Sequence, residues 1–117
     1  MASRRKEYQE DAKLRMMEVI KNYSQLSTRE IAQKIRISNG SAHYLLTSLI
    51  DKGFVLLSHV PDNSKKGKYS YTLTPKGIRE KSIITSAFLV RKKHEFEALK
   101  EEINMFEKSI GNDIDHK

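Results

Sequence analysis

The chain has 117 residues, and its 22 Lys and Arg against 15 Asp and Glu leave a formal net charge of +7. This length suits one domain with a long appendage and is too short for a barrel enzyme or a complete dinucleotide-binding fold. The chain has no cysteine, which excludes disulfides, thiolate zinc sites and cysteine-based redox sensing. Its apolar runs are too short for a transmembrane helix or a secretory leader, so we expect a soluble, cytoplasmic protein with an anionic partner.

The basic residues are concentrated in the first part of the chain. Residues 1–95 carry 19 basic and 9 acidic side chains, whereas residues 96–117 carry 3 basic and 6 acidic ones. Such an asymmetry indicates that the two parts have different partners. We expect the first part to meet a polyanion and the acidic last part to have another role.

A helix-turn-helix is predicted after a first helix over residues 4–23. Apolar residues at three- and four-residue spacing predict that first helix, namely Tyr8, Ala12, Met16, Val19, Ile20 and Tyr23. The sequence Ser27-Thr28-Arg29-Glu30 is a capping box, so a second helix should begin near Thr28 and end by about Arg36. Ser38 can cap a third helix that runs to Lys52 and stops at Gly53. The short connection between these two helices is typical of a helix-turn-helix.

A β-hairpin and a long helix are predicted next. Residues 54–60 and 69–74 have the composition of strands, and residues 61–68 between them contain Pro, Asp, Asn and Gly. Thr74 and Pro75 suit the start of a helix that extends to Gly111. The predicted fold is mostly α with a small β-hairpin: a winged helix-turn-helix domain at residues 1–74, a long helix at 75–111 and a frayed tail at 112–117.

The exposed face predicted for the third helix suits entry into the major groove of DNA. That groove admits one α-helix, whose first turns meet base edges. The residues at the start of this helix and on this face are small or polar and form the main candidate DNA-binding set: Ser38, Asn39, Gly40, Ser41, His43, Tyr44 and Thr47. An ordinary surface helix over a tight core is the alternative, and the capped helix before it and the hairpin after it favour DNA reading.

Basic residues elsewhere suit contacts with phosphates. Lys65, Lys66 and Lys68 lie at the predicted hairpin tip, where they would add affinity and salt dependence rather than base discrimination. A solvated loop is the alternative. Arg29 at the start of the second helix is a further candidate, against a charged solvent face. The basic residues 4–6 suit either an arm on the DNA or a ragged terminus.

The predicted last helix carries an apolar seam. Its members step by three and four residues, as in the heptads of a coiled coil: Phe96, Leu99, Ile103, Phe106 and Ile110. The seam could pack on its own domain, but the helix is too long to lie on that domain throughout, so we predict self-association into a homodimer. Parallel and antiparallel pairing stay open, because a parallel pair places Glu95 opposite Lys100 but also Glu102 opposite Glu107.

The sequence shows no constellation expected of an enzyme. The four histidines have no metal-ligand spacing, and they are His43, His59, His94 and His116. No serine lies in a nucleophile elbow, and no glycine-rich phosphate loop is present. We therefore predict a protein that is not an enzyme and that needs no cofactor and no metal.

Several local strings resemble winged helix-turn-helix transcriptional regulators of the multiple-antibiotic-resistance (MarR) type. These strings are Ser27-Thr28-Arg29-Glu30-Ile31-Ala32, Ile37-Ser38, Leu49-Ile50-Asp51-Lys52-Gly53-Phe54-Val55 and Leu73-Thr74-Pro75-Lys76-Gly77. The resemblance implies a homodimeric repressor that binds palindromic double-stranded DNA. A narrower resemblance, to the short subgroup tied to bacterial exopolysaccharide gene clusters, rests on Asn63-Ser64-Lys65, on Tyr69 and Tyr71, and on Leu99-Lys100-Glu101-Glu102-Ile103.

Three differences limit what this resemblance implies. Many larger members dimerise through helices at both ends and bind small aromatic effectors beneath that interface, whereas only about 25 residues precede this helix-turn-helix. A small-molecule effector is therefore left open. Many members carry an Asp-Arg pair at the wing tip, where this chain has lysines, which argues against strong minor-groove readout. The cysteine-based oxidant sensing of some members is excluded.

The leading interpretation is thus a sequence-specific DNA-binding transcriptional regulator that acts as a homodimer without membrane contact. A winged-helix module that binds another protein through its hairpin or long helix is the second interpretation. A basic coiled-coil protein at a membrane surface is a distant third, because the basic residues follow the hairpin and the helix-turn-helix rather than one amphipathic face.

Overall fold

The computed structural model describes residues 2–60 and 68–115, and the side chains of residues 5–59 and 69–114. Its elements follow in the order α1 (Ala2–Asn22), α2 (Thr28–Ile35), α3 (Asn39–Asp51), β1 (Val55–Val60), β2 (Lys68–Leu73) and α4 (Pro75–Asp115). The predicted fold class is confirmed, since the chain is mostly helical, with a two-stranded antiparallel hairpin and a long C-terminal helix.

The chain divides into two compact units, Met1–Thr85 and Ser86–Lys117. The division falls inside α4, whose first turns are joined to α1 by two ion pairs. Lys13 Nζ lies 2.9 Å from a carboxylate oxygen of Glu80, and Lys81 Nζ lies 2.6 Å from one of Glu18. The winged helix therefore includes the start of α4, and the rest of that helix forms the second unit.

The core of the first unit is built by every one of its elements. Its buried apolar side chains are Leu14, Met16, Met17, Ile20, Ile31, Ala32, Ala42, Leu46, Leu49, Phe54, Val55, Tyr71 and Ile84. The predicted apolar face of α1 is partly wrong, because Tyr8 and Tyr23 are exposed while Leu14 and Met17 are buried. Both tyrosines tolerate exposure because the hydroxyl end of the ring is polar. Lys34 Nζ also lies over the Tyr23 ring, 4.4 Å from its centroid.

Side-chain caps set where α2 and α3 begin. The Ser27 hydroxyl accepts the Glu30 amide N–H at 3.1 Å, and the Glu30 carboxylate accepts the Ser27 amide N–H at 3.0 Å. This is the predicted capping box, and it is confirmed. The Ser38 hydroxyl likewise accepts the Ser41 amide N–H at 3.1 Å at the start of α3. Both helices therefore begin directly after a serine whose side chain caps their first turn.

The hairpin is fastened to the helices at its base. Its antiparallel register pairs Val55 with Leu73 at one end and Val60 with Lys68 at the other. The backbone N–H of Tyr71 donates to the carbonyl of Ser24 at 3.0 Å, which adds the connection between α1 and α2 to the edge of β2. This hydrogen bond and the buried Tyr71 ring hold the hairpin beside the helix-turn-helix.

Gly77 allows the first turn of α4 to approach the backbone of Phe54, between α3 and β1, closely. A Cβ at this position would overlap the backbone carbonyl of Phe54, which cannot move aside as a side chain could. The Thr74 hydroxyl accepts the Gly77 amide N–H at 2.9 Å and donates to the Gly53 carbonyl at 2.6 Å. The sequence therefore has glycine here because two backbones approach each other.

The end of α4 differs from the prediction. The helix was expected to end at Gly111, with a frayed tail from residue 112, but it continues to Asp115. One glycine inside a helix costs only about 1 kcal/mol relative to alanine, which is too little to end a long helix.

Candidate nucleic-acid interface

The turn between α2 and α3 is three residues long, Arg36-Ile37-Ser38. Arg36 adopts the left-handed conformation, with φ 60° and ψ 49°, and ends α2 as its C-cap. The Ile37 amide N–H then donates to the carbonyl of Ala32 at 3.0 Å. Ser38 begins α3 at once, and the buried Ile31 and Ala32 of α2 lie in the same core as the buried face of α3. These features are the geometry of a helix-turn-helix.

The outer face of α3 is exposed over its first three turns. Ala42, Leu46 and Leu49 are buried on the opposite side of the helix. The exposed set contains only small, polar or aromatic side chains: Asn39, Gly40, Ser41, His43, Tyr44 and Thr47. Tyr44 is the most exposed of the large apolar side chains of the described residues, at 80%. The structure thus brings this part of the predicted DNA-binding set together on one surface.

Gly40 is not required by the packing of the protein itself. A Cβ built there would meet no atom within 4 Å. Gly40 has an ordinary helical conformation, so no positive φ demands glycine. Glycine is a poor helix former, and its presence in the first turn of α3 lowers the stability of this helix. The open space in front of it can admit the backbone of a binding partner.

Ser38 is the N-cap of α3, as predicted, and it was also predicted to contact DNA. Besides accepting the Ser41 amide N–H, its hydroxyl donates to the Ser41 hydroxyl oxygen at 2.9 Å. The hydroxyl hydrogen of Ser41 is therefore left to reach an acceptor outside this pair. Ser41 and the amides at the start of α3 are better placed than Ser38 to hold a phosphate.

A mainly basic groove runs between the N-terminal half of α1 and one side of α3, from the turn before α3 to Lys52 just after it. Its volume is about 920 Å³, and its charged lining residues are the basic Arg5, Lys6, Lys13, Arg36 and Lys52 and the acidic Glu10. The predicted set did not include Arg36, in the turn before α3, or Lys52, directly after α3. The available signal was their position, because a cation just before or just after a recognition helix lies near the phosphates that border the major groove. Tyr8 and Tyr44 line the same groove.

Arg29, the predicted phosphate contact of the second helix, does not line this groove. Arg29 is exposed in the first turn of α2. Lys65 and Lys66 lie outside the described residues, and Lys68 is described only through its backbone, which pairs with Val60. The described part of the hairpin presents His59 and Tyr69 side by side, with ring centroids 5.5 Å apart in an edge-to-face arrangement.

The predicted apolar seam lies in the second unit. Phe96, Leu99, Ile103, Phe106 and Ile110 are all exposed, by 47% to 62%. Burying side chains of this size stabilises a protein by about 1.5–3 kcal/mol each, so such a row on one helix favours a partner.

The described part of the chain lacks two features of other protein classes. Among residues 2–60 and 68–115, no group of His, Asp and Glu has the arrangement of a metal site. Within the same residues, no helix combines the length and the apolar character needed to cross a lipid bilayer.

Comparison with known proteins agrees with this geometry. A family profile described as winged helix-turn-helix DNA-binding matches residues 9–55. A search of curated proteins found no significant match. Solved structures share the fold, among them a PadR-like transcriptional regulator from Bacillus cereus, with 14% identity, a TM-score of 0.65, and coverage of 74% of this chain and 89% of that one.

Two further solved structures are longer proteins, and this chain matches only about half of each of them. Wild-type MarR from E. coli in its apo form has 21% identity and a TM-score of 0.54, with coverage of 64% of this chain and 54% of that one. Bacillus subtilis PadR in complex with operator DNA has 22% identity and a TM-score of 0.52, with coverage of 60% and 44%. The chain therefore contains a winged helix-turn-helix domain, in a fold shared with regulators of the MarR and PadR types.

Proposed function

We propose that this protein is a sequence-specific double-stranded DNA-binding transcriptional regulator. The observation that carries the proposal is the outer face of α3, which is exposed, polar and open in front of Gly40, at the second position of a helix-turn-helix. A helix in that position enters the major groove with its first turns against base edges. As a regulator of this kind the protein acts in the cytoplasm, as a binding protein rather than an enzyme.

The side chains of α3 divide into two groups in this proposal. Asn39, His43 and Thr47 reach base edges, where they can donate or accept hydrogen bonds. Ser41 and the first amides of α3 hold a phosphate. Tyr44 lies beside the groove that Arg5, Lys6, Arg36 and Lys52 line, and these cations contact the backbone at the border of the major groove. In this proposal the base contacts determine which DNA sequence is bound, and the phosphate contacts add affinity for DNA of any sequence.

In this proposal the wing contacts DNA beside the segment that α3 binds. Lys65, Lys66 and Lys68 would contact flanking phosphates or the adjacent minor groove, and Arg29 would contact the backbone from α2. Lysine is a compact point charge on a flexible stem, so these contacts add to affinity with little preference for sequence.

The proposed regulator is a homodimer that reads palindromic sites. The exposed seam on α4 supports pairing of two copies, and a two-fold symmetric protein reads two inverted half-sites. Half-site centres are then expected about one helical turn of DNA apart, roughly 34–36 Å, or a multiple of it. The sequence resemblance to the MarR type supports repression, and the narrower resemblance extends the proposal to exopolysaccharide genes.

Selection of bound sites from a random DNA library tests this proposal. We expect enrichment of an inverted repeat, bound with a dissociation constant of about 10⁻⁸ M or lower at physiological salt. Affinity should fall by orders of magnitude between low and moderate salt, because phosphate contacts release counterions. Binding no tighter than about 10⁻⁵ M at low salt across the whole library would leave only non-specific association and would contradict a regulator.

A further inference from the structure

We propose that α4 pairs with α4 of a second copy in the antiparallel direction, in a register set by two Lys100–Glu107 ion pairs. This inference rests on the homodimer proposed above and adds its direction and its register. The evidence is the order of charges on either side of the apolar seam.

The charges flank the seam in a heptad pattern. Phe96, Ile103 and Ile110 occupy the first apolar position of the heptad, and Leu99 and Phe106 occupy the second. One flank carries Lys93, Lys100 and Glu107, and the other flank carries Glu95, Glu102 and Ser109. Side chains at flanking positions set partner choice and orientation in coiled coils, whereas the apolar seam supplies most of the affinity.

A parallel pair brings the two different flanks together. Each Glu95 then faces Lys100 of the other copy, and each Glu102 faces Glu107. Two attractive contacts are offset by two repulsive ones, so the charges give no net preference for this direction.

An antiparallel pair brings each flank against the same flank of the other copy. One register then places opposite charges against each other. When the two-fold axis passes between Asn104 and Met105, each Lys100 faces Glu107 of the other copy, and Glu102 faces the neutral Ser109. The same register places Leu99 against Ile110 and Ile103 against Phe106, each twice by symmetry. It therefore combines two attractive contacts with no like-charge contact.

The neighbouring antiparallel registers place like charges opposite each other. A shift of one heptad toward the N-terminus brings Lys93 opposite Glu107 but places Lys100 against Lys100 and Glu102 against Glu102. A shift of one heptad the other way places Glu107 against Glu107. Within the described part of the chain, Lys100 and Glu107 make no ion pair inside their own helix, so both charges are available to a second copy.

Reversing one charge separates the two directions. In the antiparallel register Glu107→Lys places the new lysine opposite Lys100 twice, so the dimer dissociation constant should rise about fivefold to tenfold at low salt. In a parallel pair the same change places the new lysine opposite Glu102, and the dimer should tighten. Sedimentation equilibrium of the full chain at low ionic strength measures both outcomes. Glu101→Lys is the matched control, because it makes the same charge change on the side of α4 away from the seam.

Restoring the pair tests the register. Lys100→Glu combined with Glu107→Lys should return the dissociation constant to the wild-type value, and an equimolar mixture of the two single variants should form mainly mixed dimers. A tighter Glu107→Lys dimer, or a double variant as weak as the single one, would overturn the antiparallel register while leaving the homodimer in place. A wild-type chain that stays monomeric would instead contradict the homodimer in the proposed function.

Discussion

Gly40 and Gly77 illustrate two different uses of glycine in one small domain. At Gly77 a Cβ would overlap the Phe54 carbonyl, so the fold itself requires glycine. At Gly40 a Cβ would meet nothing, so the fold gains nothing from its absence. Gly40 lowers helix stability, and the packing of the protein does not require it. We therefore attribute this glycine to the close approach of the proposed DNA partner.

Gly40→Ala should therefore separate stability from binding. We expect the variant to be more stable by up to about 1 kcal/mol, because alanine is the better helix former. We expect its affinity for operator DNA to fall, because the new methyl group occupies the space in front of α3. Thermal unfolding and a DNA titration measure the two effects. Gly111→Ala is the control, since a Cβ there also meets nothing and the site lies in the second unit; equal DNA affinity of both variants would contradict close approach at Gly40.

Substitutions of Thr47 and of the wing lysines should affect different properties of DNA binding, namely sequence discrimination and overall affinity. Thr47→Ala removes a proposed base contact, so discrimination between the operator and its single-base variants should drop by about 1–3 kcal/mol at one position. Lys65→Ala with Lys66→Ala should weaken binding to all sequences alike and reduce the slope of affinity against salt. Titrations against matched operator variants at several salt concentrations measure both. If the two proteins lose affinity in the same pattern, the proposed division between bases and phosphates is wrong.

At the scale of elements, local hydrogen bonds account for where helices begin, whereas long-range packing decides which helix faces are buried. The starts of α2 and α3 depend on Ser27 and Ser38, whose partners lie three residues away, and both starts were predicted correctly. The apolar face of α1 was predicted less well, since the burial of Leu14 and Met17 depends on which elements cover the helix. A pattern of spacing identifies an amphipathic helix but does not determine how wide its covered arc is.

The ion pair between α1 and α4 should make stability depend on pH. The hydrogen bond from Lys81 lowers the pKa of Glu18 below its ordinary value of 4.5. A carboxylate with a lowered pKa in the folded state stabilises the protein above the unfolded-state pKa, and this contribution is lost as the pH falls through the folded-state pKa. Glu18→Gln should therefore be less stable than the wild type near pH 7, by less than about 1 kcal/mol because the Glu18 side chain is half exposed.

The difference between wild type and Glu18→Gln should close as the solution is acidified below the folded-state pKa of Glu18. Urea unfolding at a series of pH values measures it. Lys81→Met is the partner variant, and in its background the Glu18 substitution should have little further effect at any pH. A stability gap that persists unchanged in strong acid would show that the ion pair is not its source.

At the scale of the whole molecule, the proposed homodimer connects the exposed seam of α4 with DNA binding. Leu99→Asp with Ile103→Asp places two charges in the seam and should yield a folded monomer, since both side chains are exposed and belong to the second unit. Its affinity for a palindromic operator should fall by orders of magnitude, because one half-site replaces two. Analytical ultracentrifugation and circular dichroism test the first expectation, and a DNA titration tests the second.

Ala98→Asp with Met105→Asp is the matched control for this variant. It adds the same charge to the side of α4 away from the seam, so it should leave both dimer and DNA affinity close to the wild type. A control that dissociates as readily as the seam variant would mean that helix stability, rather than the seam, governs association.

The sequence by itself determined the features that rest on neighbouring residues. Capping serines, a glycine after the third helix and a proline at the start of the last place the starts of α2, α3 and α4 and the end of α3, because each acts over three or four residues. Only the tertiary structure decided which surfaces those elements present. It gathered Arg5, Lys6, Arg36 and Lys52 along one groove, and it brought Gly77 against the backbone of Phe54. The reason is physical: a cap is a contact within one turn of helix, whereas a groove and a close backbone approach join residues that are distant in the chain.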